Sequence, residues 1–377
     1  MWSIWEQRHF HGHCDVVVVG AGITGLFTAL FHKRRYPHHH VCVLERGAFP
    51  AGASVKNAGF ACFGSPSELL ADIDNEGLTR ALERVEERWT GLRELRAELG
   101  DAAIGFEATG GHEVFPAHDP TYTLVAERFD ALNGALHDIF GSTVFRWDDD
   151  GVARNGLGGI GHLVRTELEG ALDSGALMRT LLGKCQGEGV LVRTSAEVKQ
   201  LQENGQDVEL ALADGSKVRA SQVLIATNGL APALLPGIDV QPARGQVMVT
   251  TPIDGLRLRG TFHADQGFYY YRDYQGAVLI GGGRNLDFAA ESTDREACTP
   301  VIQEALEKML REVILPESSF GIAHRWSGIM GFRSAGKTPL VERRTERVSV
   351  AAGLGGMGVA IGIRVARKAA DVLGDRV

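Results

Sequence analysis

The chain has 377 residues, with 39 basic and 47 acidic side chains for a formal net charge of −8, and 44% of it is hydrophobic. That hydrophobic content excludes a disordered polymer, and the acidic balance argues against nucleic acid as the main partner. Glycine is the outlier at 48 residues against 12 prolines, with no G-x-y repeat to suggest collagen or low complexity.

In chain order, Asp15–Val19 is a short β-branched run that leads straight into Gly20–Gly25. Leu26–Arg35 predicts a helix, broken by Pro37 and the His38–His40 run, and Val41–Glu45 predicts a second strand; together they form a βαβ unit. Gly52–Ser67 reads as a loop of small residues, and Asn75–Leu99 as one amphipathic helix with Leu78, Leu82, Val85, Trp89, Leu92 and Leu95 inward. Gly110–Phe115 predicts a strand and Tyr122–Phe140 a helix; Asp148–Gly151 reads as a solvated turn rather than a metal site. A helix over Gly175–Glu188 precedes strands at Val190–Thr194, Glu197–Gln202, Val208–Ala213 and Lys217–Ala220, the last two joined by an Asp214-Gly215 turn. Ser221–Ala226 is a further buried strand. Past Pro236 come strands at Gln246–Thr251, Gly267–Arg272 and Ala277–Gly281, then an amphipathic helix at Pro300–Ile314. Val348–Ala352 predicts a strand, followed by a second glycine cluster and a helix over Val359–Leu373. The weakly polar stretch Val348–Ile363 is too short and too glycine-rich for a membrane span.

Gly20-x-Gly22-x-x-Gly25 follows a strand, opens a helix, and precedes Glu45 at the end of the next strand. That is the context a dinucleotide site requires. Gly20 permits the turn, Gly22 lets backbone approach a pyrophosphate, and Gly25 lets helix and strand touch. Ile23 and Thr24 lie inside this turn, whose free N–H groups face the phosphates. Glu45, next to Arg46, would accept from ribose hydroxyls and repel a 2′-phosphate. Gly353-Leu-Gly355-Gly356-Met357-Gly358 is the second cluster, again between strand and helix. A glycine loop at a helix start this late suits a flavin, whose ring lies far from the pyrophosphate and gains negative charge on reduction.

These motifs, with Gly52-Ala53-Ser54-x-x-Asn57-Ala58-Gly59, Ala226–Gly229, Arg244-Gly-Gln246, Gly281–Gly283 and Trp326-Ser-Gly328 in that order, resemble the FAD-dependent amino-acid oxidase/dehydrogenase family, to which D-amino-acid oxidase and the glycine and sarcosine oxidases belong. The resemblance covers nearly the whole chain. It implies an α/β fold with a Rossmann-like FAD-binding domain of the glutathione-reductase type and a second, mainly antiparallel-sheet substrate domain. Residues 1–78, 173–235 and 336–377 are assigned to the first, and 79–172 and 236–335 to the second. It further implies that Ala53, Ser54, Asn57, Ala58 and Gly59 lie along the flavin. Val198 would meet the adenine, Thr227, Asn228 and Gly229 the phosphates and ribitol, and Gly353, Gly355, Gly356, Met357 and Gly358 the flavin pyrimidine. No cysteine stands in that last loop, so FAD is expected to be non-covalent, and Cys62 reads as structural.

On the substrate side the resemblance implies a tyrosine-bearing strand at Phe268–Arg272. Tyr269 and Tyr271 share one face there, and both are expected to face the flavin. Where relatives place an arginine that forks onto a substrate carboxylate, this chain has Met330. Either the substrate has no carboxylate at that spot, or Arg284 or Arg333 supplies the clamp instead; His263 reads as a loop histidine satisfied by its neighbours. The implied function is oxidation of the C–N bond of an amino acid or a primary or secondary amine by hydride transfer to flavin N5, the imine then hydrolysing. Alternatives are C–OH oxidation of a 2-hydroxy acid, and flavin binding without turnover. The electron acceptor stays open between oxygen and a quinone or other carrier; the absence of lysine from the strand after the tyrosines favours a dehydrogenase. Five cysteines without C-x-x-C, and no signal-peptide core in Met1–His13, lead us to expect a reduced, cytoplasmic protein. His9, His11, His13 and His38–His40 lack partners at ligand spacing, so no metal is expected.

Overall fold

The computed structural model describes residues 3–10 and 12–374; His11 lies outside them. Strand Cys14–Val19 is flanked by parallel neighbours Lys217–Ile225 and Val41–Leu44. Leu191–Arg193 extends the sheet in parallel beyond Val41–Leu44, and Val348–Ala352 does so beyond Lys217–Ile225. A parallel sheet is buried on both faces, and the alternation of the first strand shows it. Val16 and Val18 enter one core with the helices Ile23–Arg35, Ser174–Gly187 and Gly358–Gly374. Val17 and Val19 enter the opposite core with Val208 and Leu210 of an antiparallel meander.

Lys217–Ile225 is one continuous strand rather than two, because its first four residues pair with the meander and the rest with Cys14–Val19. The helix expected over Asn75–Leu99 is likewise two, Pro66–Glu76 and Leu78–Leu99, broken at Gly77, whose φ of +87° ends the first. Leu78–Leu99 belongs to two cores at once. Leu92, Leu95 and Leu99 join the first sheet, and Val85 packs with Phe115 and Phe129.

A second eight-stranded sheet runs Ile322–Phe332, Gln241–Thr250, Ala277–Gly282, Tyr269–Tyr274, Thr261–Ala264, Gly111–Pro116, Ile160–Thr166 and Arg146–Trp147. Every pair is antiparallel except Thr261–Ala264 with Gly111–Pro116. One face carries Met248, Phe262, Tyr271, Val278 and Ile280 and packs against Ile302 and Leu306 of helix Pro300–Met309. The other carries Val247, Leu279, Tyr270, Tyr274 and Trp326 and faces Ala58 and Phe60 of the loop that follows the first βαβ unit. Among the described residues no helix is long and apolar enough to cross a membrane.

Candidate functional site

Gly20 closes strand Cys14–Val19 at φ +105°, where an added Cβ would stand 2.9 Å from the Ala226 carbonyl oxygen. Helix Ile23–Arg35 starts at once, with Gly22 as an N-cap that has no side chain to offer and no acid in the first turn. Among the described residues only the Ile23 N–H of this first turn finds a side-chain acceptor, Ser54 Oγ at 3.0 Å. The remaining first-turn N–H groups and the positive helix end are open to an anion. Glu45 is buried, and its two oxygens accept from the N–H groups of Ala21 and Gly47, each at 3.0 Å. It therefore ties the glycine turn to the end of the second strand.

Between the two sheets lies one cavity of about 1450 Å³, lined by both glycine clusters. That exceeds the ~300–1,000 Å³ of a drug-sized site and suits an extended dinucleotide with a substrate beside it. Gly20, Gly22, Ile23, Thr24, Glu45, Arg46, Ala53, Ser54, Asn57, Ala58, Val198, Thr227, Asn228, Gly353, Gly355, Gly356, Met357 and Gly358 all border it. Three expected contacts sit behind the wall. A Cβ on Gly25 would meet the Gly20 carbonyl at 2.0 Å, one on Gly59 the Leu172 carbonyl at 2.2 Å, and one on Gly229 the Met330 carbonyl at 2.2 Å. Those glycines clear backbone rather than ligand. Asn57 and Asn228 act as clips. Asn57 donates to the carbonyls of Ala53 and Ser54 and accepts from Gly59 N–H. Asn228 Oδ1 accepts from the N–H groups of Gly353 and Leu354, and so fastens the C-terminal glycine loop. The Thr227 hydroxyl is buried without a partner among the described residues, and nothing stands within 4 Å of a Cβ on Gly356. Both are openings for a ligand.

The tyrosine expectation is off by one residue. Tyr271 is fully buried against Phe262 on the face that packs on helix Pro300–Met309, and Tyr269 leans on the same core. Tyr270 is the one that lines the cavity. Its ring crosses Gly281, where a Cβ would lie 2.5 Å from Cε2. The glycine opposite it in the ladder fixes which face the tyrosine takes. That pairing is the signal a reading of the Tyr269–Tyr271 run by itself lacks. Arg272, on Tyr270's face, donates to the carbonyls of Gly59 at 3.0 Å and Leu172 at 2.9 Å.

Arg333 borders the cavity but is committed elsewhere: its guanidinium lies 3.3 Å from Asp239 and donates to the Thr338 carbonyl at 2.9 Å. Arg284 is different. Its guanidinium lies between Phe332 and Phe288, 4.3 and 4.9 Å from their ring centres. It makes no hydrogen bond or ion pair with the described residues, and burial holds its pKa below the usual value. Phe288 belongs to a segment anchored by the bidentate pair of Glu291 with buried Arg244, at 2.9 and 2.7 Å. Met330 lies over Gly245 in the cavity wall, so the cation that relatives place there is missing, and Arg284 borders the same cavity without an ion pair among the described residues. His263, expected to be satisfied, is not. It is buried, lines the cavity, and neither ring nitrogen has a partner among the described residues. Cys62 borders the cavity, buried, with burial pushing its thiol pKa up. Among the described residues no group of three or more His, Cys, Asp or Glu is placed to hold a metal ion.

A family model described as DAO, FAD dependent oxidoreductase, matches residues 15–372. No curated protein matches the chain. The fold is similar to that of a glycine oxidase from Geobacillus kaustophilus, with 20% identity over 96% of this chain and 95% of that one and a TM-score of 0.74. It is similar to an L-proline dehydrogenase from P. horikoshii, at 16% identity over 97% and 94% and a TM-score of 0.76. An L-amino acid deaminase from Proteus vulgaris aligns at 20% identity over 96% and 90%, with a TM-score of 0.71.

Proposed function

The chain belongs to the FAD-dependent oxidoreductases of the DAO family, and from that premise we propose that it oxidises the C–N bond of an amino acid or a related amine that carries a carboxylate. The observation that supports this substrate class is Arg284, held between two aromatic rings with its N–H groups uncommitted in the cavity wall.

The residues present fit FAD. The open N-terminus of helix Ile23–Arg35 suits the pyrophosphate, with Glu45 beside it for ribose and the Thr227 hydroxyl free for a polar group. The loop Gly353–Met357, followed by the start of helix Gly358–Gly374, suits the electron-rich end of the ring system. Bound there, FAD supplies the two-electron acceptor for the C–H bond next to nitrogen. The protein's own part is orientation. Arg284 forks onto the carboxylate, and the flanking Phe288 and Phe332 rings fix its plane. Tyr270 provides a hydroxyl and a ring wall in a partly buried place, where its pKa is pushed up to about 12 by loss of solvent, so it stays protonated and able to donate. Ala58, Phe60, Val247 and Trp326 surround it and keep water away.

The test is anaerobic bleaching of the flavin by amino acids and by the matching amines that lack the carboxylate. Arg284→Leu should raise the half-saturating concentration of the amino acids about 10- to 100-fold, the range for a hydrogen bond to a charged group, and that of the amines less than threefold. Equal effects on both sets would remove the clamp. Failure of every amine and amino acid, with bleaching by 2-hydroxy acids, would move the reaction to C–OH oxidation.

A further inference from the structure

The cavity-facing side of the second sheet carries a row of residues directly opposite one another on neighbouring strands. His263 pairs with Tyr270, Tyr270 with Gly281, Gly281 with Val247 and Val247 with Trp326. Arg284 follows the glycine run that begins at Gly281, the member of this row opposite Tyr270, and borders the same cavity. His263 stands two strands from Gly281, roughly 10 Å away at ordinary strand spacing. Phe60 lies edge-on to both His263 and Tyr270, at 5.2 and 5.8 Å between ring centres, so the three rings bound one stretch of wall.

What surrounds His263 points to a ligand. Both its ring nitrogens are buried without a partner among the described residues. Such a group is costly to leave unmet and calls for an explanation. Glu68, from helix Pro66–Glu76, is the nearby charge, and it also lines the cavity. Burial raises the Glu68 carboxyl, but Arg88 and Lys337 more than offset it, so it remains ionised and able to accept. The two groups converge on one place. A Cβ on Gly267 would lie 3.6 Å from Glu68 Oε2 and 4.0 Å from His263 Nδ1, with no other neighbour within 4 Å. A small polar group there would meet a carboxylate oxygen and an imidazole nitrogen together.

We propose that the substrate site has two poles: the Arg284 clamp, and a hydrogen-bonding end pocket formed by His263, Glu68 and Gly267. It selects elongated amino acids whose far end carries a donor such as an amine, hydroxyl or amide. This rests on the proposed amino-acid oxidation. Glycine itself reaches only one pole. A chain several bonds longer spans the row across Tyr270, and its terminal donor meets Glu68 Oε2, the oxygen not taken by Arg88, while exchanging a hydrogen bond with His263.

The experiment compares anaerobic flavin reduction by pairs of amino acids of equal chain length, one ending in a methyl group and one in an amine, hydroxyl or amide. In the wild-type holoenzyme the polar-ended member should half-saturate at about a 10-fold lower concentration. His263→Leu should collapse that ratio to near one, His263→Asn should restore part of it, and Glu68→Gln should lower it independently. Binding of the same polar-ended chains as non-reducing competitors, read from the flavin's visible spectrum, should follow the same order. A ratio near one in the wild type, or variants that weaken both members of each pair equally, would overturn the end pocket while leaving the Arg284 reading intact. If no amino acid of any length reduces the wild-type flavin, the proposed function falls, and the end pocket with it.

Discussion

Tyr271→Phe should stabilise the protein, which is the opposite of what a flavin-facing tyrosine predicts. Tyr271 is fully buried, and its ring lies parallel to Phe262 with centres 5.1 Å apart. Its hydroxyl has no hydrogen-bond partner among the described residues, and burial drives its pKa up with no compensating group. Leaving a buried hydroxyl unmet costs about 1–3 kcal/mol. The substitution removes that cost and keeps the ring in place. It also loses the hydroxyl's own contacts, so the net gain expected is about 1 kcal/mol. For domains of this size that is a rise in Tm of roughly 2–4 °C. The assay is thermal unfolding of the FAD-loaded wild type and variant, with a urea midpoint as a second measure, which should rise at constant slope. The half-saturating substrate concentration should stay within twofold, because the side chain faces helix Pro300–Met309 and not the cavity. A fall in Tm of 2 °C or more, or a tenfold change in half-saturation, would refute the assignment of this face.

Gly281→Ala should act through Tyr270, because a Cβ there would stand 2.5 Å from its ring. The ring must move into the cavity, at a typical overpacking cost of about 1–3 kcal/mol, and steady-state kinetics should show a clear rise in half-saturation together with a lower Tm. The two central glycines of the C-terminal loop should separate. Gly355 sits at φ +60°, so Gly355→Ala should cost about 1 kcal/mol in the FAD-free protein. Gly356→Ala should cost little there, whereas Gly356→Glu should weaken FAD binding in a fluorescence titration by placing a carboxylate at the ligand side of a helix start. A pH series tests the buried acids behind His263. Burial raises the Glu113 carboxyl to about 7 and that of Glu169 to about 8, against 4.5 when unfolded. A raised carboxyl means the folded state holds the extra proton. This contribution is therefore complete below about pH 4.5 and is lost as pH climbs through 7 to 8, by a few kcal/mol in all. Glu169→Gln should gain stability relative to wild type between pH 5 and 8 in urea unfolding, and parallel curves would contradict it.

The nucleotide half of the molecule was legible in the sequence because its signals are local. Val16 to Val19 alternate between two cores, Gly20, Gly22 and Gly25 follow without a gap, and Glu45 ends the next strand. Each constraint acts within one βαβ unit. Gly59 and Gly229 sit in the expected loops but clear the backbones of Leu172 and Met330, which come from elements far along the chain. A glycine shows that something comes close, and only the fold says what.

The substrate side resists sequence reading for a different reason. A strand reveals its buried face by polar–apolar contrast, and Phe268–Tyr271 has almost none. Its facing is set instead by its neighbours: the ladder places Tyr270 between His263 and Gly281, and the missing side chain at 281 gives the ring its bed. The choice between Arg284 and Arg333 follows the same logic. Both are arginines near glycine-rich turns, and what separates them is Asp239, remote in sequence, which occupies the Arg333 guanidinium. Arg284 lies against two aromatic rings and, among the described residues, has no hydrogen-bond or ion-pair partner. A cation free to bind an anion is thus recognised by the partners it lacks. The same criterion, applied to the buried nitrogens of His263, marks the other end of the cavity.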